Sequence, residues 1–422
     1  MEGRTVSAHL AQVIVTPRAY ARRKELLRAF RLLRARNPVA RVSLPEFDPF
    51  WVLTKYADIV DVSRKSEVFR NGDRATALLP RAADVKARSL MGGSPHLIRT
   101  LVHMDAPHHL AYRRITAAWF RQSSLKDMEE WIRFRARQGV EEMARRGQTC
   151  DFVTDIASHY TLSVLLRLLG VPQSDAPVFH DLAKELFGGR EQDADSGVPE
   201  HEADVMVRVF ATAEAYFTGL AQERRRRPQP DLVSAIANAT VDGCPIPAFE
   251  AISYFVILAT GGHDTTASAI SDGVWALCER PVEFSNVKGR PTLIPALVEE
   301  AVRWSSPVQH FMRTAAADAE VRGRRIRKGD WLMLSYLSGN RDEEAFEDAE
   351  DFRLGHGTRP NIGFGHGPHV CLGQHLARIQ MRIFFEEFFK RVRMIDLAGT
   401  PRRAASLFVG GPRRLPVRYT VA

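Results

Sequence analysis

The stretch from Pro247 to Arg280 is the sequence feature that most constrains the fold. It runs for about 34 residues with no internal proline and is mostly apolar. A single α-helix of this length, rising 1.5 Å per residue, would be roughly 50 Å long and would cross the whole molecule. We therefore expect a central helix around which the rest of the chain packs.

Within this stretch, Ala259 to Thr266 reads ATGGHDTT and places glycines, a carboxylate and hydroxyls in an apolar helix. Each interior glycine costs about 1 kcal/mol relative to alanine, and buried polar groups need partners. One interpretation is a functional site, in which Gly261 and Gly262 let the helix bulge while Asp264 and Thr265 offer a proton path. The other interpretation is a kink whose Thr hydroxyls bond the helix itself.

The remaining periodicity is mainly helical, with a minor β component. Helical patterns cover 18–36, 57–65, 107–120, 124–146, 151–169, 174–187 and 203–227, and strand-like runs cover 39–44, 50–54, 308–314, 320–326 and 331–335. We expect one domain over 1–422, with its β-rich part at about 37–70 and 308–340 plus the C-terminal segment. The irregular segments 71–104 and 187–199 are interpreted as loops that cover a binding site.

Charge and cysteine content exclude several classes of protein. The net charge is +9, but the excess is arginine spread along helices, and no aromatic residues alternate with the arginine run at 224–227, so nucleic-acid binding is not expected. The four cysteines lie far apart and form no CxxC pair, which argues against a disulfide framework, a zinc site or a cysteine-ligated iron–sulfur cluster. The N-terminal residues resemble neither a signal peptide nor a membrane anchor, so we expect a cytoplasmic protein.

A second constraint comes from residues 364–378, FGHGPHVCLGQHLAR, in which glycines surround Cys371. Glycine lets a backbone turn tightly and come close to a flat ligand. Helical spacing of apolar residues begins at Leu372, which places the cysteine at a helix N-terminus, where N–H groups favour a thiolate. Cys371 is therefore a candidate iron ligand; the alternative is a buried structural cysteine beside a turn.

A third feature is the pair Glu300 and Arg303, three residues apart on one helix face. By themselves such residues usually form an exposed ion pair that contributes a few tenths of a kcal/mol.

Together, these motifs resemble those of the cytochrome P-450 superfamily of haem-thiolate monooxygenases, over nearly the entire chain. The family's FxxGxHxCxG loop is matched at Phe364, Gly367, His369, Cys371 and Gly373. Residues 261–266 match the oxygen-activation motif, and residues 300–303 match the ExxR pair. Similar stretches such as PEFDPFW, GHDTTAS and SYLSGNRDEEAF indicate bacterial soluble members that oxidise monoterpenes such as terpineol.

The resemblance implies a role for each matching residue. It makes Cys371 the thiolate ligand of haem b, with Glu300 and Arg303 in a buried network beneath the haem. Gly262, Asp264 and Thr265 would serve oxygen activation, with Thr265 positioning water and Asp264 as the link to solvent. The implied propionate ligands are His109, Arg113, Arg313 and His369. The implied substrate contacts are Ile257, Thr260, Gly261 and Val308.

The resemblance also implies partners. A small hydrophobic substrate would be hydroxylated with O2 and two electrons from NAD(P)H, delivered through a ferredoxin reductase and a [2Fe–2S] ferredoxin. The ferredoxin would dock near Arg114 and Arg378 on a monomeric enzyme. The alternatives are a haem-binding sensor or carrier without turnover, and a non-haem helical protein. His263 is expected on the helix surface without a catalytic role, and His356 stands where many relatives have an arginine.

Overall fold

Helices form most of the structure, a computed structural model that describes residues 5–183, 185, 202–355 and 359–422. The helices are α1 (Ala8–Val15), α2 (Pro17–Arg22), α3 (Lys24–Arg36), α4 (Tyr56–Arg64), α5 (Arg81–Leu90), α6 (His108–Ala117), α7 (Gln122–Leu125), α8 (Glu129–Arg145), α9 (Ser158–Leu169), α10 (176–183), α11 (Glu202–Arg226), α12 (Leu232–Ala237), α13 (Ala248–Gly261), α14 (Asp264–Cys278), α15 (Pro281–Gly289), α16 (Ile294–Ser305), α17 (Tyr336–Gly339) and α18 (Gln374–Arg391).

The strands are short and confirm the predicted minor β component. They are β1 (Val39–Val42), β2 (Phe50–Leu53), β3 (Phe69–Arg70), β4 (Thr149–Asp151), β5 (Thr240–Val241), β6 (Cys244–Pro245), β7 (His310–Ala315), β8 (Ala319–Val321), β9 (Arg324–Ile326), β10 (Trp331–Ser335), β11 (Val392–Leu397), β12 (Arg402–Arg403), β13 (Pro412–Arg414) and β14 (Pro416–Val421).

Two sheets bring distant parts of the chain together. The larger sheet has the order β1-β2-β10-β7-β3, in which β2 and β10 are parallel and the other neighbours are antiparallel. The smaller sheet joins β4 to β11 and β14 near the C-terminus. The larger sheet thus combines the two β-rich parts that the sequence pattern indicates, around 37–70 and 308–340.

The central helix is present but interrupted near its middle. The stretch forms two helices, α13 and α14, because the backbone breaks at Gly262 and His263, where His263 has φ −125° and ψ −46°. A Cβ on Gly262 would lie 2.6 Å from the Leu258 carbonyl oxygen and 3.0 Å from Leu165 Cδ1. Only glycine therefore fits this break, and the predicted bulge is present as an interruption of the helix.

Two other boundaries differ from the sequence prediction. The helix predicted over 18–36 is divided at Arg23, which has a positive φ of 53°. The segment 71–104, predicted to be irregular, contains the ten-residue helix α5. Its buried residues are only Ala83 and Ala87, so it has too short an apolar stripe to be recognised by periodicity.

The largest apolar core lies between α8, α9, α13, α14, α16 and α18. This core holds α14 and α18 at fixed positions, so the helix break and the cysteine segment before α18 are parts of one rigid framework. Among the helices in the described ranges, none combines the length and apolar character needed to cross a lipid bilayer.

Candidate active site

The cysteine segment forms a tight loop before α18. The Cys371 N–H donates to the Phe364 carbonyl at 2.8 Å, and Gly365 and Gly367 both have a φ of +73°. A Cβ on Gly367 would lie 2.2 Å from the Ser63 carbonyl oxygen, so the loop presses directly on α4. Glycine at this position lets the loop close tightly around Cys371, which retains accessible surface although its thiol lies deep among neighbouring atoms.

The surroundings of Cys371 act on its ionisation in opposite directions. The side chain precedes α18 by three residues, and burial of its surroundings raises the pKa of the thiol. The Gly373 N–H and the guanidinium groups of Arg113 and Arg378 act in the opposite direction, but they do not overcome burial. A bound metal cation deprotonates a coordinating thiol outright, so the environment fits a thiolate that forms on metal binding.

Four basic side chains from three parts of the chain form a cluster beside this loop. Arg113 on α6 donates through Nη2 to the Val370 carbonyl at 2.8 Å, next to Cys371. The rings of His109 and His369 lie 4.0 Å apart, centroid to centroid. Arg313 on β7 is buried beside them and bonds the Tyr336 hydroxyl. Helix α6, strand β7 and the cysteine loop therefore converge on one positively charged site.

The electrostatics of this basic cluster indicate an anionic ligand. Burial, followed by the charge of Arg113, lowers the pKa of His109 to about 4. Burial, followed by Arg313 and His109, lowers the pKa of His369 to about 2. Among the described residues none of the four basic groups is paired with a carboxylate, and the buried Nε2 of His109 has no hydrogen-bond partner. The donor set fits the two propionates of haem, which buried cations and N–H donors would stabilise.

The helix break supplies the second wall of the site. Asp264 begins α14, and its carboxylate forms an ion pair with Arg413 on β13 at 3.2 Å. The Thr265 hydroxyl donates to the Gly261 carbonyl at 3.0 Å, which satisfies an acceptor left free by the break. Asp264 and Thr265 are both half-buried. The break thus presents a carboxylate and a hydroxyl that are held in place but remain accessible.

The expectation that His263 lies on the helix surface was wrong. Its side chain is only 1% exposed, and its Nδ1 lies 3.0 Å from the Ala259 carbonyl oxygen. Since a carbonyl only accepts, Nδ1 carries the proton in this contact. The imidazole therefore takes the place of the main-chain donor that an unbroken helix would offer to Ala259.

The residues predicted to contact substrate do not share one environment. Ile257 and Gly261 are half-buried one turn apart, and a Cβ on Gly261 would lie 3.7 Å from Ile257 Cδ1. Thr260 is 1% exposed and its hydroxyl donates to the Val256 carbonyl at 2.7 Å. Val308, half-buried, pairs with Val409 in an isolated β-bridge. Ile257, Gly261 and Val308 retain accessible surface, whereas Thr260 is turned into the helix packing.

Glu300 and Arg303 form a buried network. Arg303 donates through Nε and Nη2 to both Glu300 carboxylate oxygens at 2.7 Å, and the two side chains are 2% and 4% exposed. The remaining Arg303 donors reach the carbonyls of Asn340, Ala349 and Asp351. The pair therefore holds α16 against residues 340–351. It is buried, whereas the spacing alone would suggest an exposed ion pair.

Several residues fall outside the sequence predictions or outside the described residues. Arg413 and Tyr336 were not predicted, and no local motif marks them, because each becomes relevant only through contact with Asp264 or Arg313. Arg378, predicted to lie on an open surface, is half-buried, stacked on Phe364 at 4.4 Å and paired with Glu299. His356 and the whole of the predicted loop at 187–199 lie outside the described residues.

Comparisons with known proteins find relatives that match nearly the whole chain. The Cytochrome P450 family model matches residues 198–404. Cytochrome P450-terp of a Pseudomonas species is 40% identical over 99% of both chains, and linalool 8-monooxygenase of Pseudomonas putida is 31% identical over 92% of this chain and 94% of the other. The crystal structure of CYP108D1 from Novosphingobium aromaticivorans matches with a TM-score of 0.91 and 38% identity, covering 99% of this chain and 100% of that chain.

Proposed function

The chain belongs to the cytochrome P450 family of monooxygenases, and we propose that this enzyme hydroxylates a small, largely hydrocarbon substrate of monoterpene size, such as terpineol. The observation that carries the proposal is the 40% identity to P450-terp over 99% of both chains. The matched region covers almost the whole length of both chains.

The cofactor proposed for this site is haem b. When bound, haem supplies the activation of O2, which a thiolate axial ligand promotes. Cys371 would ligate the iron, because its thiol lies beside the basic cluster that would hold the propionates and retains accessible surface. The basic cluster of His109, Arg113, Arg313 and His369 would hold the propionates, and Phe364, Gly367 and Gly373 would keep the loop in its closed conformation.

Asp264 and Thr265 are proposed to deliver protons during oxygen activation. The Thr265 hydroxyl uses its hydrogen toward Gly261, so its oxygen lone pairs remain available to accept from a water molecule. Asp264 can take up and release a proton at its carboxylate, and its ion pair with Arg413 keeps that carboxylate at the break. Gly262 contributes by permitting the break itself.

The polarity of the proposed substrate contacts supports a hydrocarbon. Ile257 and Val308 offer apolar side chains, and Gly261 leaves space beside Ile257. The Thr260 hydroxyl is already bonded within its own helix. Ile257, Gly261 and Val308 would therefore provide apolar contact area with no side-chain donor that demands a polar substrate, whereas the buried Thr260 would contribute little.

The proposed electron source is a [2Fe–2S] ferredoxin reduced by an NAD(P)H-dependent reductase. Arg114 is exposed on α6, next to Arg113 of the basic cluster, and it would attract an acidic protein in a salt-dependent way. Arg378 would contribute less than its charge suggests, because Glu299 already pairs with it.

Spectroscopy and reconstitution test the proposal in sequence. The reduced protein with carbon monoxide should show the red-shifted Soret band of a thiolate-ligated haem. Terpineol and linalool should shift the ferric haem from low to high spin, and a ferredoxin, its reductase and NAD(P)H should then yield a hydroxylated product by mass spectrometry. A steroid serves as the size control. Spin shifts with the steroid and none with any monoterpene would contradict the proposed substrate class.

A further inference from the structure

The side chain of His310, the first residue of β7, bonds two loops that lie far apart in sequence, the N-terminal loop (75–78) and the C-terminal loop (406–409). Its Nε2 accepts the Leu78 N–H at 3.0 Å, and its Nδ1 lies 3.0 Å from the Leu407 carbonyl oxygen. Since an amide N–H only donates and a carbonyl only accepts, these contacts fix the neutral tautomer with its proton on Nδ1. The imidazole is 1% exposed, so it joins the two loops inside the protein.

Main-chain bonds attach each loop to the same part of β7. The Met312 N–H donates to the Thr76 carbonyl of the N-terminal loop at 2.8 Å. The Gln309 N–H donates to the Phe408 carbonyl of the C-terminal loop at 2.9 Å. The backbone thus ties each loop to the strand separately, and the His310 ring adds a contact that sets the distance between the two loops.

The two loops and β7 form an apolar surface beside the basic cluster. Phe311 and Phe408 are half-buried with ring centroids 5.2 Å apart, and the Arg313 guanidinium lies 5.9 Å from the Phe311 ring. Val308, a predicted substrate contact, is also half-buried and pairs with Val409. Since Arg313 belongs to the basic cluster, this surface adjoins the site proposed for haem.

The residues around the imidazole are apolar. Leu78, Met312 and Leu407 belong to one hydrophobic core, in which an apolar side chain would fill the space without needing hydrogen-bond partners. Apolar packing is non-directional, whereas a hydrogen bond has a preferred distance and angle. What histidine adds at position 310 is therefore a fixed geometry between the two loops.

We propose that His310 is a positioning residue for substrate selection. By holding the two loops at a fixed separation, it limits the width of the apolar pocket beside Val308 and favours small substrates over large ones. The inference rests on the proposed function, since a pocket for monoterpenes needs sides that do not move apart. His310 acts without touching substrate, because its ring is buried and both nitrogens are bonded within the protein. It acts through Phe408, whose ring centroid lies 5.8 Å from that of the imidazole.

Three substitutions at His310 remove the two bonds in steps. His310→Phe keeps a ring but neither bond. His310→Asn keeps a donor for the Leu407 carbonyl but is too short to reach Leu78, and His310→Gln offers both an N–H and an oxygen. If the bonds set the pocket width, selectivity for size should fall in the order wild type, Gln, Asn and Phe.

Two iron-binding azoles of different size, phenylimidazole and a biphenyl-substituted imidazole, measure this selectivity in the haem-bound protein. Their spectral titration does not depend on the identity of the natural substrate. His310→Phe should shift the ratio of their dissociation constants toward the larger azole by about tenfold, a change that the loss of two hydrogen bonds can produce. His310→Asn should give a smaller shift, and His310→Gln should restore most of the wild-type ratio.

Amide hydrogen exchange reports on the N-terminal loop without any ligand. The Leu78 N–H should exchange roughly tenfold faster in His310→Phe and His310→Asn, because its acceptor is lost. Tyr419→Phe is the matched control, since it removes a buried hydrogen bond to the Met143 carbonyl in the smaller sheet. This control should lower stability and leave the azole ratio unchanged.

The outcomes separate this inference from the proposed function. The carbon monoxide spectrum shows which variants retain haem; if His310→Phe does not, His310→Asn decides the test. An unchanged azole ratio in the variants that retain haem, or an equal shift in Tyr419→Phe, would overturn the positioning role. A wild-type protein whose spin state responds to no monoterpene would refute the proposed substrate class instead, and the azole ratio would still test His310.

Discussion

Asp264 and Arg413 are joined by a 3.2 Å ion pair that links the break between α13 and α14 to strand β13, 149 residues further along the chain. The carboxylate is thereby held beside Thr265, the second residue of the same helix. This contact fixes the orientation of the Asp264 side chain. Its position at the start of a helix would not fix that orientation by itself.

Replacing Asp264 with Asn should slow product formation by about 100-fold, because an amide cannot take up and release a proton. Substrate affinity, measured by the spin shift, should change by less than a few fold. Arg413→Lys serves as the matched control, since it keeps a cation near the carboxylate and should retain most of the activity. Unchanged turnover in the Asn variant would refute the proton role.

Replacing Arg113 with Gln should speed haem loss about tenfold or more, because a charge-assisted hydrogen bond contributes about 1.5–3 kcal/mol. The transfer of haem to apomyoglobin measures this rate. Arg114→Gln, at the exposed neighbour, is the control and should lose haem at the wild-type rate. Equal rates in the two variants would mean that Arg113 does not hold a propionate.

Replacing Glu300 with Gln should reduce the free energy of unfolding by about 3–5 kcal/mol, because it leaves the buried Arg303 charge without its carboxylate. Denaturant unfolding measures the loss. The control is Asp61→Asn, which breaks an exposed pair with Lys65 and should cost about 0.3–0.5 kcal/mol. Similar losses in both variants would show that the Glu300 network contributes no more than a surface pair.

Replacing Cys371 with Ser should abolish the red-shifted Soret band of the reduced carbon monoxide complex, because the thiolate ligand is lost. Cys150→Ser is the comparison, since Cys150 is half-buried and burial raises the pKa of its thiol to about 12. That variant should retain the wild-type spectrum. A red-shifted band in Cys371→Ser would exclude Cys371 as the axial ligand.

The contribution of Glu387 to stability should depend on pH. Burial acts to raise the pKa of this carboxyl, but hydrogen bonds from Lys390, Arg133 and Arg137 lower it overall. A lowered folded-state pKa gives stability that is present above the ordinary value near about 4.3 and is lost as the pH falls through the folded value. Thermal unfolding should therefore separate wild type from Glu387→Gln at pH 7 and bring them together toward pH 3. A constant difference across this range would contradict the assignment.

The sequence alone determined the cofactor chemistry and the general architecture. Three local features can be recognised from the sequence without the structure. They are the glycines around Cys371, the polar residues inside an apolar helix and the Glu300–Arg303 spacing. Helical periodicity likewise indicated most helices, because each must bury one apolar face. The positive φ at Arg23 could not be predicted from the pattern of apolar residues. Helix α5 was also missed, because it buries only two residues and therefore shows little periodicity.

Tertiary structure decided how those motifs meet and which ionisation states they favour. The close packing at Gly262 involves Leu165 from another helix, the burial of His263 depends on the elements packed around it, and the ion pair of Asp264 depends on a strand near the C-terminus. The raised pKa of Cys371 reflects the balance between burial and groups from α6 and α18. Burial and long-range charge contacts come from residues distant in sequence, so no local pattern can specify them.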